Sequence, residues 1–168
     1  MIRVTIGQLA DEQAEGVIRP IRSDLAPVTP AAREIDRRGG EELEARLSQI
    51  GPLPVGGAVL TPAGPIAADF LIHVVVASPE EPQTALSVQK ALKNGLRRAV
   101  DWGLESVALP PLGLGVGALD PEASARALVE ILVNHLGEGA APLDLTIVAG
   151  SEYEAGLLQR LVEELAGD

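Results

Sequence analysis

Cysteine is absent from the 168-residue sequence, which excludes disulfide bonds, thiolate catalysis and thiolate metal sites. Histidine is nearly absent as well: the two histidines, His73 and His135, are too few for a histidine-rich metal site. Aromatic residues make up 2% of the chain, so the core has to be built from Leu, Val, Ile and Ala. We therefore expect no metal ion, and we also expect no cofactor.

Positive charge is also scarce, because 13 Lys and Arg residues stand against 24 Asp and Glu residues and the formal net charge is −11. A field of this sign repels nucleic acids and anionic membranes, so we expect neither as a partner. The apolar stretches are far shorter than the ~20 residues of a membrane span, and no secretory leader is recognisable. We therefore expect a cytoplasmic protein, and the sequence identifies no protein partner.

The length of the chain is that of one domain, and its 46% of hydrophobic residues is enough for a packed core. We therefore expect one α/β domain over residues 1–168. Six aliphatic segments are predicted to form strands, over residues 2–6, 16–21, 58–61, 70–76, 106–109 and 143–148. Helices are predicted over residues 31–50, 84–102 and 152–165 and from Asp120 onward. Two adjacent glycines, Gly39 and Gly40, predict a kink or a break in the first helix.

The order of these segments predicts how the sheet is built. Helices that alternate with the later strands favour a largely parallel sheet covered on both faces. The strands at residues 58–61 and 70–76 have no helix between them, which predicts one antiparallel pair. The expected fold is therefore a three-layer α/β/α sandwich with a mixed central sheet.

A glycine-rich loop follows the buried strand at residues 106–109 and leads into the helix that begins at Asp120 and Pro121. Its glycines allow successive N–H groups to point at one anion, and the helix N-terminus adds partial positive charge. This pattern predicts a diphosphate-binding loop, although a tight turn that needs small residues has the same pattern. The predicted ligand contacts are Gly113, Leu114, Gly115, Val116 and Gly117.

This segment resembles the second ligand loop of macro domains, in which a strand SIAFP leads to STGVYG and a helix. Upstream, residues 56–73 read GGAVLTPAGPIAADFLIH and are similar to the family's GEAVVTPGYNLPAKYVIH. Residues 4–9, VTIGQL, stand where the family has a strand and GDIT. The resemblance implies an α/β/α sandwich with a small-molecule ligand of ADP-ribose type. Many members of the family hydrolyse ADP-ribosyl bonds or deacetylate O-acetyl-ADP-ribose.

The catalytic loop departs from the family pattern. Residues 17–35 read VIRPIRSDLAPVTPAAREI, where the family typically reads IVNAANSSLLGGGGVDGAI. Arg19 and Arg22 fall on the two asparagines of the family, and Ala32 falls on an aspartate of many hydrolases. The glycines that approach the ligand are replaced by residues 28–30, of which Pro30 has no N–H to donate. The resemblance therefore assigns no catalytic residue to this chain.

Four side chains of the expected cleft are candidate ligand contacts: Gln8, Arg19, Arg22 and Thr29. Gln8 replaces the adenine-selecting aspartate of GDIT, and an amide offers both a donor and an acceptor to an adenine edge. Either arginine could contact a phosphate or carboxylate of a ligand. Alternatively, it could pair with acidic neighbours or be exposed at a strand end.

Two further side chains also have alternative roles. His73 could be a general base or a structural histidine within its apolar strand. Tyr153 could stack on adenine, although Gly150 occupies the position where the family often has an aromatic residue.

Three functions are compatible with these residues. The first is a module that binds ADP-ribose or a related nucleotide diphosphate without hydrolysing it. The second is an ADP-ribosyl hydrolase or O-acetyl-ADP-ribose deacetylase with an altered catalytic loop. The third is a scaffold or interaction module whose cleft is occluded by the side chains of Val28, Thr29 and Pro30.

Overall fold

The computed structural model describes residues 1–112, 120–139, 141–142 and 144–167. The glycine-rich loop predicted to bind a diphosphate, Gly113 to Gly117, lies outside the described residues. Within the described residues, none of the helices is long and apolar enough to cross a membrane.

The sheet of the described residues has six strands, in the order β1-β6-β5-β2-β4-β3. All neighbouring pairs are parallel except β3 and β4, which confirms the predicted antiparallel pair and the mixed sheet. The bounds are close to those predicted, although four strands end one residue later than predicted: β2 at Arg22, β3 at Pro62, β4 at Ala77 and β6 at Ala149. The strands are β1 (Ile2–Ile6), β2 (Gly16–Arg22), β3 (Ala58–Pro62), β4 (Phe70–Ala77), β5 (Ser106–Leu109) and β6 (Asp144–Ala149).

Four α-helices accompany the sheet: α1 (Pro30–Ile50), α2 (Ala85–Asp101), α3 (Pro121–Gly137) and α4 (Glu152–Ala166). Each begins after a Thr, Asp or Ser whose side-chain oxygen accepts a backbone N–H of the first turn. Gly40 has φ 57° and ψ −147° inside α1, which confirms the kink predicted from Gly39 and Gly40. A 3-10 turn at Leu9–Asp11 follows β1.

The helices cover both faces of the sheet, as expected for an α/β/α sandwich. Ile18 and Ile72 belong to the core cluster formed with α2, α3 and α4. Their neighbours along the strands, Val17 and Leu71, face the opposite way and pack with α1 and the 3-10 turn. Each fully buried Leu or Ile contributes about 1.5–3 kcal/mol, so the two clusters fix which face each helix covers.

Five of the six strands run in the same direction, so their carboxyl ends meet at one edge of the sheet. The segments that follow β1, β2, β5 and β6 all leave the sheet at this edge. In α/β sheets of this kind, ligands bind outside the carboxyl ends of the strands. This edge is therefore where a ligand site is expected.

Candidate functional site

A cleft with a volume of about 480 Å³ lies at the carboxyl edge of the sheet. It is formed where the ends of β1, β5 and β6 meet the first turns of α1 and α4. Small-molecule sites have volumes of roughly 300–1,000 Å³, so the cleft has a suitable size. The described lining residues are Gly7, Gln8, Leu9, Thr29, Pro30, Ala31, Glu34, Pro110, Pro111, Val148, Gly150, Ser151 and Glu154.

The first turn of α1 forms one wall of the cleft. Thr29 is only 3% exposed, and its Oγ1 accepts the Ala32 N–H at 3.1 Å. Pro30 occupies the first position of the helix, which suits its fixed φ, but it removes one N–H group from the wall. The N-terminus of α1 still directs the positive end of its dipole toward the cleft.

Gln8 comes from a different segment of the chain and lies just after the end of β1. It is exposed and precedes the 3-10 turn at Leu9–Asp11, but its side chain makes no capping hydrogen bond to that turn. The amide is therefore available to a molecule in the cleft as both donor and acceptor. Of the four predicted side-chain contacts, Gln8 and Thr29 line this cleft together.

Two carboxylates, Glu34 and Glu154, also line the cleft. Glu34 accepts hydrogen bonds from Arg37 and from Arg38, and these hydrogen bonds lower the pKa of Glu34 to about 2. Glu154 accepts the Gly150 N–H at 2.8 Å. Both acidic groups are thus already bound to donors of the protein, which reduces their repulsion of an anionic ligand.

Arg22 does not appear among the described lining residues of the cleft. It lies at the end of β2, where its side chain is exposed and forms an ion pair with Asp24, with Nη2 and Oδ2 2.8 Å apart. The hydrogen bond from Arg22, followed by that from the Ala26 N–H, lowers the pKa of the Asp24 carboxyl group. The structure therefore places Arg22 with an acidic neighbour.

Arg19 is fully buried in β2, on the face of the sheet that α1 covers. Its Nη1 donates to the carbonyl oxygen of Ala32 at 3.2 Å and to Oδ1 of Asp36 at 3.1 Å. Burial lowers the pKa of Arg19, and the Asp36 carboxylate partly offsets this effect. Like Arg22, Arg19 is absent from the described lining of the cleft.

His73 lies beside Arg19, because the two residues are paired in the register of β2 and β4. The Arg19 Nε–H donates to Nδ1 of His73 at 2.9 Å, and Nε2 of His73 lies 2.8 Å from Oγ1 of Thr61 in β3. Burial, and then the charge of Arg19, lowers the pKa of His73 to about 3. The imidazole is therefore neutral, with Nε2–H donating to Thr61, which fits a structural histidine rather than a general base.

Val28 of the catalytic-loop region and Tyr153 of α4 have positions that the sequence did not reveal. Val28 is 6% exposed and packs into the core cluster with α2 and α3, so its side chain does not fill the cleft. Tyr153 is 69% exposed and is not among the described lining residues, whereas Gly150 is.

Glu34, Glu154 and the Pro110–Pro111 pair line the cleft but were not singled out from the sequence. The positions of the Pro110–Pro111 pair and of Glu154 could have been inferred from the order of the strands. Pro110 and Pro111 directly follow β5, and the first turn of α4 directly follows β6. Because the ends of neighbouring parallel strands meet, these segments are expected at the same edge. Glu34 is placed by α1, and no strand end predicts it.

In the described part of the chain, no group of three or more His, Asp or Glu side chains is arranged to hold a metal ion. The cleft instead combines backbone N–H groups, helix N-termini and one free amide. Such an arrangement can bind an anionic group through dipoles and a heterocycle through the amide.

Comparison with known proteins agrees with this geometry. A family model described as the Macro domain matches residues 23–128. An uncharacterized protein of Aeropyrum pernix is 32% identical over 170 residues, which cover 99% of this chain and 88% of that protein. A macro domain-containing protein of Streptomyces griseus is 28% identical over 152 residues, which cover 86% of this chain and 84% of that protein.

Solved structures share the fold at low sequence identity. The Oceanobacillus iheyensis macrodomain with ADP has a TM-score of 0.86 and 19% identity, covering 98% of this chain and 90% of that chain. A glycine-to-valine variant of the same macrodomain with ADPR has a TM-score of 0.86 and 19% identity, covering 98% of this chain and 93% of that chain.

Proposed function

The chain belongs to the macro domain family, and from this premise we propose that it binds ADP-ribose or a related nucleotide diphosphate without hydrolysing it. The observation that carries the proposal is the open cleft of about 480 Å³ at the carboxyl edge of the sheet, where the N-termini of α1 and α4 converge. Relatives of the same fold are known with ADP and with ADPR.

In this proposal the diphosphate is held by backbone N–H groups of Gly113, Leu114, Gly115, Val116 and Gly117. The described residues on either side of this segment are well anchored. Leu112 is buried, and its carbonyl oxygen accepts the Ser124 hydroxyl at 2.9 Å. Asp120 caps α3 by accepting the Ala123 N–H at 2.8 Å. These contacts fix the positions of Leu112 and Asp120, the described residues between which the proposed diphosphate contacts lie.

The amide of Gln8 is assigned to the nucleobase, and Thr29 to the wall beside the ribose and phosphates. This assignment is supported by the two side chains lining one cleft and by the absence of a capping hydrogen bond from Gln8. Direct contact of Arg19 or Arg22 with a ligand would require each arginine to leave the acidic partner that it now holds. We therefore assign both arginines to pairing within the protein.

We propose the absence of hydrolase and deacetylase activity because the cleft lacks a suitable base among the described residues. Glu34 has a pKa of about 2 and is a weak proton acceptor, while Glu154 is engaged with the Gly150 N–H. Ala32 replaces an aspartate of the hydrolases that the sequence resembles. Correct orientation of the reacting groups contributes about 7–11 kcal/mol to catalysis, so their replacement should abolish activity.

The alternative of an altered but active hydrolase makes the opposite prediction about activity. Incubation with a mono-ADP-ribosylated protein and with O-acetyl-ADP-ribose should release product no faster than a control without the protein. Release well above that control would establish the enzyme and refute the non-catalytic assignment.

The alternative of an occluded scaffold is opposed by the position of Val28 in the core and by the open volume of the cleft. Calorimetric titration separates the two. ADP-ribose and ADP should bind with a saturable heat. Ribose 5-phosphate, which lacks the adenosine and one phosphate of ADP-ribose, should bind more weakly. Absence of binding at millimolar ADP-ribose would refute the proposed function.

A further inference from the structure

We propose that Arg19 is a positioning residue that fixes the N-terminal half of α1 against the sheet and thereby sets the shape of the cleft. The positioning of α1 follows from contacts within the protein, whereas the consequence for ligand affinity rests on the proposed function. Arg19 stands where the sequence resemblance places the first of the family's two asparagines, and its contacts give it a role within the protein.

Arg19 connects three elements through one buried guanidinium. From β2 it donates to His73 in β4, and His73 in turn donates to Thr61 in β3. On the opposite side it donates to Ala32 and Asp36, which lie one turn apart on α1. Three strands and one helix are thus joined by a chain of hydrogen bonds in which Arg19 and His73 are fully buried.

The contacts on α1 lie in the part of the helix that forms the cleft wall. Ala32 and Asp36 alternate along the helix with the lining residues Ala31 and Glu34. They also precede Gly40, whose non-helical φ and ψ separate the first half of α1 from the second. Because Gly40 interrupts the regular helix, contacts beyond it restrain the first half less directly than contacts within that half.

A second polar restraint on this half of the helix, among the described residues, is weaker. Arg38 pairs with Asp11 of the 3-10 turn and with Glu34, but the Asp11 side chain is 60% exposed. Exposed ion pairs contribute little to stability and are screened by salt. Arg19 itself is fully buried, whereas the Asp36 side chain is 43% exposed. Breaking the contacts therefore leaves a buried guanidinium without partners, which is far more costly.

The shape of the arginine side chain explains how Arg19 can contact the sheet and the helix at the same time. Its planar guanidinium has donors in several fixed directions, and Arg19 uses Nε toward one strand and Nη1 toward the helix. One donor, Nη2, is buried without a partner among the described residues. Neither methionine of similar length nor an amide reproduces the two-sided connection.

The test compares amide hydrogen exchange along α1 in the full-length parent protein and three variants. Arg19→Met removes both sets of contacts, and Asp36→Asn weakens the helix contact while leaving His73 untouched. Arg46→Met is the matched control, because Arg46 is an arginine beyond the kink that pairs with Glu42 and does not line the cleft. Asp36 has a side chain that is 43% exposed, so Asp36→Asn should fold even if Arg19→Met does not.

We expect exchange at residues 33–36 to accelerate by about tenfold in Arg19→Met, relative to Leu43 and Leu47, which corresponds to roughly 1.4 kcal/mol. Asp36→Asn should accelerate the same amides by a smaller factor, and Arg46→Met should not. The nitrogen-15 chemical shifts of His73 should change in Arg19→Met, because Nδ1 loses its donor, but not in Asp36→Asn. Unchanged exchange at residues 33–36 in Asp36→Asn and in any folded Arg19→Met would overturn the proposal.

ADP-ribose affinity is measured on the same samples. Arg19→Met should bind about tenfold more weakly than the parent, and Arg46→Met should bind equally well. Loosened residues 33–36 with unchanged affinity would overturn the claim that Arg19 sets the shape of the cleft. If the parent itself does not bind ADP-ribose, the proposed function fails, and the exchange data still decide whether Arg19 positions α1.

Discussion

Replacing Thr29 by Val tests whether the first turn of α1 contributes to ligand binding. The change keeps the size and β-branching of the side chain but removes the oxygen that accepts the Ala32 N–H. Loss of an N-cap costs about 0.5–2 kcal/mol. Thr29 should be near the upper limit because it is 3% exposed, so water cannot readily replace the lost acceptor. At roughly 2–4 °C per kcal/mol, we expect Tm to fall by about 4–8 °C.

Thr84→Val is the matched control for this substitution. Thr84 caps α2 with the same geometry, accepting the Ser87 N–H at 3.0 Å, but it is exposed and does not line the cleft. Its loss should cost nearer to about 0.5 kcal/mol, because water can satisfy the freed N–H group.

Titration with ADP-ribose then separates stability from binding. If ligand binding requires an ordered first turn of α1, about half of the stability lost in Thr29→Val should also be lost from the binding free energy of ADP-ribose. This corresponds to roughly fivefold weaker binding. Thr84→Val should bind like the parent. Equal affinities for the two variants, with a reduced Tm for Thr29→Val, would show that the first turn of α1 is not part of the binding wall. An unchanged Tm for Thr29→Val would refute the capping argument itself.

Three other predictions address the loop, the base contact and pH. Gly115→Val should abolish ADP-ribose binding measured by calorimetry, whereas Gly156→Val, at an open position in α4, should not. Equal binding by both variants would show that the glycine-rich loop does not bind the diphosphate. Gln8→Ala should weaken ADP-ribose binding by about 0.5–1.5 kcal/mol and leave ribose 5-phosphate unaffected; equal losses for both ligands would contradict the base contact. His73 has a folded pKa of about 3 against 6.5 in the unfolded chain, so the unfolded state alone binds this proton as pH falls from 6.5 to 5. Urea unfolding should show that stability falls by up to about 1.4 kcal/mol per pH unit in that window. The same slope in His73→Leu would refute the claim that His73 stays neutral in the folded protein.

Much of the fold could be predicted because it depends on local patterns. Aliphatic runs predicted the strands, and the missing helix between β3 and β4 predicted their antiparallel pairing. Gly39 and Gly40 predicted the kink in α1, since a backbone without Cβ adopts the positive φ found at Gly40. These features need only the period of the side chains and the allowed backbone angles, both of which the sequence carries.

The role of Arg19 could not be predicted in the same way, because its partners are distant in the sequence. Ala32, Asp36 and His73 are separated from Arg19 by 13, 17 and 54 positions. A signal did exist: Arg19 and His73 are polar residues within apolar strands, and they are direct neighbours in the β2–β4 register. The register itself depends on tertiary packing, so the pairing could be recognised only once the sheet was assembled.

The geometry of the cleft explains how a negatively charged chain could bind an anionic ligand. A net charge of −11 opposes the approach of an anionic ligand, yet this long-range field decays within a Debye length of about 8 Å at physiological ionic strength. At contact, the nearest acidic groups are already bound, Glu34 by two arginines and Glu154 by the Gly150 N–H. The N-termini of α1 and α4 add fixed positive dipoles that need no lysine or arginine in the cleft. The short-range field of the backbone can therefore favour a diphosphate where the summed charge of the surface repels it, which makes the loop and helix N-termini, rather than cationic side chains, the source of affinity in the proposed site.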